Sequence, residues 1–243
     1  MSRSPDATAT RAGGRHGKPW RAAGTAVVAL LAVVGAGMIG ASLKTTPAPR
    51  PPQPLAQAQA QAAPESSQFA EADQPAEGDQ SAQAGEAAAN ALPRATPTTI
   101  EIPRIGVDAK IMSLGTNPDG TVEVPPLDQA ELAGWYEPGP SPGEVGNAVI
   151  VGHVDSAKIG PAVFFDLGAL QPGDTVTVNR SDGQPATFRV DSVKSYPKDE
   201  FPTELVYGPS EEPGLRVVTC GGQFDETARS YLNNVIVFAS LVS

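Results

Sequence analysis

The chain has 243 residues, of which 27 are acidic and 17 basic, and a formal net charge of −10 at pH 7. Residues 98–243 hold 20 of the acidic residues but only 9 of the basic ones, which argues against nucleic acid as a partner. A single cysteine and two histidines occur in the whole chain. An internal disulfide is therefore excluded, and candidates for nucleophilic chemistry are few.

The N-terminal part has the pattern of a membrane anchor. Residues 1–21 form a basic leader with five arginines or lysines and one aspartate, and residues 22–43 contain no charge. A helix of this length spans about 33 Å, enough to cross a hydrocarbon core of about 30 Å. The positive charge before the helix predicts a cytoplasmic N-terminus, with the rest of the chain outside the cell membrane.

A cleaved signal peptide is the alternative for this region. Signal peptides have shorter apolar cores, of about 7–15 residues, followed closely by a small-residue cleavage site. Here the clearest Ala-x-Ala pattern lies at 56–58, well beyond the apolar run, and no cysteine is available for a lipoprotein anchor. Residues 44–97, rich in Pro, Ala and Gln, are predicted to be a disordered linker. With either leader, the domain at 98–243 is exported.

The pattern of residues 98–243 predicts an all-β domain, a barrel or a sandwich, with little helix. The expected strands are Ile100–Ile102, Ala109–Leu114, Thr121–Val124, Ala148–His153, Thr175–Val178, Ala186–Val193, Leu215–Cys220 and Val235–Leu241. Thr175–Val178 and Ala186–Val193 flank a Ser-Asp-Gly turn, which predicts a hairpin. One short helix is expected over Ala162–Leu170.

His153 and Cys220 are the only histidine and cysteine of this domain, and each is expected at the carboxyl end of an apolar strand. If the two strands are neighbours, the side chains share one rim, and together they are the minimum set for thiol acyl transfer. A free thiol is mostly protonated at neutral pH, so a nearby cation is required. Arg229 is the first candidate and Arg216, about 13 Å away along the same strand, is the second.

Structural interpretations compete with each of these assignments. A lone cysteine at the end of an apolar strand is often a small core residue, a lone histidine is often only hydrogen-bonded, and Arg229 alone would be solvated. One histidine and one cysteine are too few for a closed zinc site. Asp155, Asp166 and Asp225 do not have the spacing of a calcium loop, so no metal site is predicted.

Taken together, the motifs resemble those of the sortases, the cysteine transpeptidases of Gram-positive cell surfaces. The resemblance covers about residues 98–243 and rests on Gly152-His153, Val218-Thr219-Cys220 and the closing strand 235–239. The stretches 152–156, 164–167 and 220–225 are similar to the actinobacterial class F group. This resemblance implies a closed β-barrel of about eight strands with one or two short helices, preceded by a transmembrane helix and a linker.

The resemblance also implies a mechanism and partners. Cys220 would attack an LPxTG-like sorting signal of a surface protein, with His153 as acid and base. The thioacyl enzyme would pass to an amine of a peptidoglycan stem or precursor, without a cofactor. The family arginine commonly stands where this chain has Asn234, so Arg229 is expected to supply the guanidinium. Thr219 and Asn234 are predicted to contact substrate.

Two other functions stay open at this point. One is a different exported thiol enzyme, such as an L,D-transpeptidase or a papain-like hydrolase, although the flanking motifs of those families are not present around Cys220. The other is a non-catalytic surface domain in which Cys220 is only a buried side chain.

Overall fold

The computed structural model describes residues 49–55 and 90–242. Ten strands and one α-helix form in this part. The strands are β1 (Pro97–Ile102), β2 (Val107–Leu114), β3 (Ala133–Tyr136), β4 (Gly146–Val151), β5 (Asp155–Ser156), β6 (Gly160–Pro161), β7 (Thr175–Arg180), β8 (Ala186–Pro197), β9 (Pro213–Asp225) and β10 (Ser230–Leu241), and the helix is α1 (Thr203–Tyr207). Short 3-10 turns lie at Pro103–Ile105, Leu127–Gln129, Leu167–Ala169 and Lys198–Glu200.

Eight of the strands close into a barrel in the order β1-β2-β3-β4-β9-β10-β8-β7, which confirms the expected all-β fold, and β5 and β6 form a separate ribbon. The pairs β2–β3 and β4–β9 are parallel. The β7–β8 hairpin is confirmed, with Val178 opposite Ala186. Strands β9 and β10 pair along most of their length, so the expected loop after Cys220 is largely a second hairpin.

Successive side chains along the strands point to opposite faces of the sheet, and each face carries its own apolar cluster. The inner cluster fills the barrel and takes side chains from every barrel strand, among them Ile100, Ala148, Phe188, Leu215 and Val237. The outer cluster lies on the opposite face of β4, β9 and β10, next to Val206 of α1. Its buried members are Leu114, Val149, Val151, Val206, Val218 and Ile236. Period-two alternation therefore gives β4 and β9 two apolar faces rather than one.

Two predicted elements are corrected. Thr121–Val124 is not a strand, since only an isolated bridge joins Thr116 and Val122. Ala162–Leu170 is not a helix apart from the 3-10 turn at Leu167–Ala169. The segment is too short to offset helix nucleation, and it instead buries Phe164, Leu167 and Leu170 in the inner cluster. Strands β3, β5 and β6 and helix α1 were not expected.

The predicted linker contains two stretches that pack on the barrel. Pro51 and Pro54 are buried, and a Cβ at Gly168 would lie 2.1 Å from the Pro52 carbonyl oxygen. In the second stretch, Leu92 donates its amide to Gly143. Residues 56–89, the basic leader 1–21 and the predicted span 22–43 lie outside the described residues. Among the residues that are described, no helix is long and apolar enough to cross a membrane.

Candidate active site

The thiol and the imidazole lie on, or just after, neighbouring parallel strands. His153 follows the end of β4 by two residues, whereas Cys220 lies within β9 and not at its end as the sequence pattern predicted, because β9 continues to Asp225 in its hairpin with β10. Val151 of β4 lies opposite Val218 of β9, and the amide of Gly152 continues this ladder by donating to the Val218 carbonyl at 3.1 Å. His153 lies two residues beyond Val151, and Cys220 lies two residues beyond Val218, so both residues follow the same pair of partners on neighbouring strands. Both residues follow outward-facing valines of the outer cluster, and both are half-buried. The sequence-based expectation of adjacent strands is confirmed.

A tight contact behind the site fixes this alignment. A Cβ added at Gly152 would lie 2.5 Å from a ring carbon of Phe164 and 2.7 Å from Cγ1 of Val163, so only glycine fits before His153. Thr219 is 4% exposed, and its hydroxyl donates to the Gly152 carbonyl at 2.8 Å. Thr219 faces the barrel side of β9 and ties the two strands together. This is a different environment from the substrate contact predicted for it.

The imidazole of His153 is oriented by a backbone group. Its Nε2 lies 2.6 Å from the carbonyl oxygen of Pro125, in the connection between β2 and β3. Because a carbonyl oxygen only accepts hydrogen bonds, Nε2 carries a proton in this contact. The other ring nitrogen, Nδ1, is then the one that takes up or releases a proton. Pro125 thus supplies the orienting partner that acid–base histidines require.

A row of polar side chains extends from the cysteine across the outer face. Asn234 of β10 is the direct partner of Cys220, and Tyr196 of β8 is the direct partner of Asn234. Cys220 and Asn234 alternate with Val218 and Ile236 of the outer cluster, and Tyr196 packs against that cluster, so all three lie on the outer face. Asn234 is half-buried, and its carboxamide makes no hydrogen bond to another described side chain or backbone group. Its carboxamide is therefore a nearby donor for an oxygen bound at Cys220.

The two candidate arginines lie at different distances from this row. Arg229 is exposed and adopts a left-handed conformation, φ +50°, next to the last β9–β10 pair, Asp225 opposite Ser230. Five residues of β9 separate Cys220 from that end, which is about 16 Å of strand. The register does not bring Arg229 beside Cys220, and its catalytic role stays a prediction.

Arg216 is engaged elsewhere. It donates to the Leu205 carbonyl at 3.1 Å, and its guanidinium lies 5.0 Å from the centre of the Phe238 ring. Burial lowers the pKa of Arg216. These contacts keep the guanidinium of Arg216 next to α1, and Arg216 itself is four residues before Cys220 on β9.

An acidic contact next to the site was not anticipated from the sequence. The Tyr231 hydroxyl of β10 donates to the carboxylate of Asp155, two residues after His153, and the ring packs edge-on against Phe224 at 5.1 Å. Burial raises the pKa of Tyr231, and Asp155 and the Cys220 thiol add to the shift. Asp155 stood in the sequence next to His153, but nothing there linked it to Tyr231.

No metal centre is visible near these groups. Within residues 49–55 and 90–242, no set of three or more His, Cys, Asp or Glu side chains is placed to hold an ion.

A family model, described as the sortase domain, matches residues 100–242 of this chain. The match covers more than half of the sequence, and its boundaries coincide with those of the barrel. The chain therefore belongs to the sortase family, a family of cysteine transpeptidases. No curated protein matches the chain by sequence.

Solved structures of several sortases are similar to it. The SrtA sortase from Actinomyces oris is 25% identical with a TM-score of 0.48, over 63% of this chain and 87% of that one. Sortase A from Corynebacterium diphtheriae is 20% identical with a TM-score of 0.45, over 63% of each chain. A Clostridium perfringens sortase D5 transpeptidase is 22% identical with a TM-score of 0.45, over 68% of this chain and 89% of that one.

Proposed function

We propose that this protein is a membrane-anchored cysteine transpeptidase, most like the actinobacterial class F sortases. In this proposal it cleaves an LPxTG-like sorting signal of a surface protein and transfers the acyl group to an amine of the cell wall. The observation that carries the proposal is the pairing of β4 with β9, since His153 lies two residues after Val151 and the only thiol of the chain lies two residues after Val218, the partner of Val151.

The first half-reaction forms a thioester. The thiol proton of Cys220 passes to His153, and the sulfur attacks the carbonyl carbon of the Thr–Gly bond. The C–N bond then breaks, and the imidazolium gives its proton to the departing glycine amine. The hydrogen bond from Nε2 to Pro125 supports this role, because it keeps the orientation of the ring through the proton transfer.

The second half-reaction reverses these roles. A cell-wall amine attacks the thioester carbonyl, a new C–N bond forms, the C–S bond breaks, and His153 takes the proton lost by the amine. The product is an amide that links the surface protein to the wall. The thiol proton and the proton released as the amide forms both pass through one imidazole, and no cofactor is required.

Two groups are proposed to stabilise the negative charge that develops on the carbonyl oxygen. Asn234 is the nearer donor, since it is the direct partner of Cys220 in the β-ladder. Arg229 would add a positive charge from the β9–β10 hairpin. The contact of Tyr231 with Asp155 supports a hairpin that leans toward His153. Donors of this kind are most effective where water is excluded.

The apolar part of the signal has a natural surface beside the cysteine. Val151 and Val218 belong to the outer cluster and precede His153 and Cys220 on the same face, each with 8% of its surface exposed. An apolar side chain of the signal packed there would hold the following carbonyl near the thiol. Residues 22–43 would anchor the protein in the cell membrane with the barrel outside.

The test uses the purified full-length chain, a set of LPxTG-type peptides and an amine acceptor. We expect acceptor-dependent transfer in the wild type, a mass increase of one acyl group on Cys220, and at least a thousandfold loss of turnover in Cys220→Ala. Cys220 is half-buried, so the stability of this variant should change by less than about 0.5 kcal/mol.

Other outcomes would replace the proposal. Cleavage without transfer to any amine would make the protein a thiol hydrolase. If no peptide is cleaved and Cys220→Ala alters stability alone, the barrel is a binding domain with a structural cysteine.

A further inference from the structure

A half-buried carboxylate lies next to the reactive pair without a cation. Asp155 starts β5, two residues after His153. Among the described residues, its carboxylate accepts a hydrogen bond from the Tyr231 hydroxyl. The ion pairs among the described residues involve Glu144, Asp174 and Asp182 but not Asp155. The site therefore has a negative group with room in its coordination for another donor, because a carboxylate accepts up to about four hydrogen bonds.

This carboxylate is unfavourable for the first half-reaction. A negative charge opposes the formation of a second negative charge close to it, and Asp155 lies only two residues after His153. The same charge is favourable for the second half-reaction, in which a positively charged amine must approach the thioester. The location of Asp155 therefore fits the acceptor better than the sorting signal.

The β9–β10 hairpin holds this carboxylate in place. Tyr231 spans from β10 to Asp155, and its ring is supported by Phe224 from the paired strand. A neutral phenol that donates one hydrogen bond fixes the direction of the carboxylate without cancelling its charge. The remaining lone pairs can then receive N–H donors of a ligand.

We propose that Asp155, oriented by Tyr231, binds the acceptor as a primary alkylammonium group and delivers it to the thioester on Cys220. This inference rests on the proposed function and adds the residue that binds the second substrate. The bound ammonium gives one proton to water. The neutral amine attacks the carbonyl carbon, the C–S bond breaks, and the second proton passes to His153. Asp155 is a binding residue and takes up no proton in these steps.

The experiment compares a cationic with an uncharged nucleophile on the full-length chain. Nα-acetyl-lysine amide is a cation at neutral pH, whereas hydroxylamine is largely uncharged and also resolves thioesters. In Asp155→Asn we expect the KM for the lysine amide to rise about fivefold, the loss of one partly exposed ion pair. The KM for hydroxylamine and the rate of thioester formation should stay within about twofold of the wild type.

Two further variants separate charge from orientation. Tyr231→Phe keeps the carboxylate and removes its hydrogen bond, so the KM for the lysine amide should rise by only about twofold. Glu226→Gln is the matched control, because it removes one negative charge from the exposed tip of the same hairpin. It should leave both nucleophiles unaffected.

A purely structural role would give a different result. If Asp155→Asn impairs both nucleophiles equally, or if Glu226→Gln has the same effect, the proposal is wrong although the enzyme is still a transpeptidase. If Asp155→Asn does not fold, the test is the salt dependence of the wild-type enzyme. Salt screens the attraction between a carboxylate and an ammonium group. The KM for the lysine amide must therefore rise with ionic strength, while the KM for hydroxylamine does not. If the wild type forms no thioester at all, the proposed function falls first, and this inference falls with it.

Discussion

The inward and outward side chains of β4 and β9 differ in what they do, although they alternate along the same strands. Inward, Ala148, Ile150, Leu215 and Val217 are fully buried in the barrel. Outward, the same strands carry valines and then His153 and Cys220, both half-buried. A single parallel register therefore serves two purposes. The inner face makes the strands rigid, and this rigidity supports the two groups that we propose to be catalytic.

The largest effect on stability is expected from the inner face. Leu215 is completely buried inside the barrel, whereas Arg216, the next residue of β9, faces outward. Leu215→Ala leaves a cavity and should lower the free energy of unfolding by about 3 kcal/mol. Denaturant melts would measure this loss, and the turnover of the remaining folded protein should be close to that of the wild type. Loss of turnover without loss of stability would contradict the division between the two faces.

A smaller effect, on activity alone, is expected for the two proposed donors on the outer face. Asn234→Ala should lower kcat/KM for the sorting peptide about thirtyfold, which corresponds to about 2 kcal/mol of transition-state stabilisation. Arg229→Ala should lower it about tenfold, since Arg229 lies at the hairpin tip. Steady-state kinetics of both variants would rank the donors. A much larger loss in Arg229→Ala than in Asn234→Ala would reverse the assignment.

Thr219 joins the two faces, and its removal should have a moderate effect on both. Thr219→Val preserves the shape but loses the hydrogen bond to the Gly152 carbonyl. We expect a loss of about 1 kcal/mol in stability together with a lower kcat, because the ends of β4 and β9 are no longer tied. Thr219→Ser, which retains the hydroxyl, is the control and should recover kcat. If Ser and Val variants behave alike, the hydroxyl does not align the site.

The smallest effect is expected at the inward-facing end of β7. The Arg180 side chain is fully buried, and its hydrogen bond lowers the pKa of Asp182. Because the folded-state pKa lies below the ordinary value of 3.8, the ionised carboxylate stabilises the fold above that value. This stabilisation is lost as the pH falls through the lowered pKa. The stability difference between wild type and Asp182→Asn should therefore be present at neutral pH and shrink in acid. A pH-independent difference would exclude this ion pair as its cause.

Local signals in the sequence were sufficient for part of the fold. Apolar runs bounded by Gly, Pro and Asp identified most barrel strands and the β7–β8 hairpin, because these signals lie within a few residues of one another. The same signals misassigned Thr121–Val124 and Ala162–Leu170. In both segments the side chains suit an ordered element, but contacts with distant parts of the chain decide the backbone, as when Phe164 fills the barrel next to Gly152.

What the sequence determined by itself was which thiol and which imidazole are the candidates for the chemistry. One cysteine and one histidine in a domain of this size leave no other choice of thiol and imidazole, and both end apolar runs. Only the tertiary structure decided what surrounds them. Asn234 lies beside Cys220, Pro125 orients His153, and Tyr231 reaches Asp155. These contacts depend on strand register and on loops that meet across long stretches of chain. Residue type fixes the chemistry of a group, but its neighbours are fixed by the packing of the whole barrel.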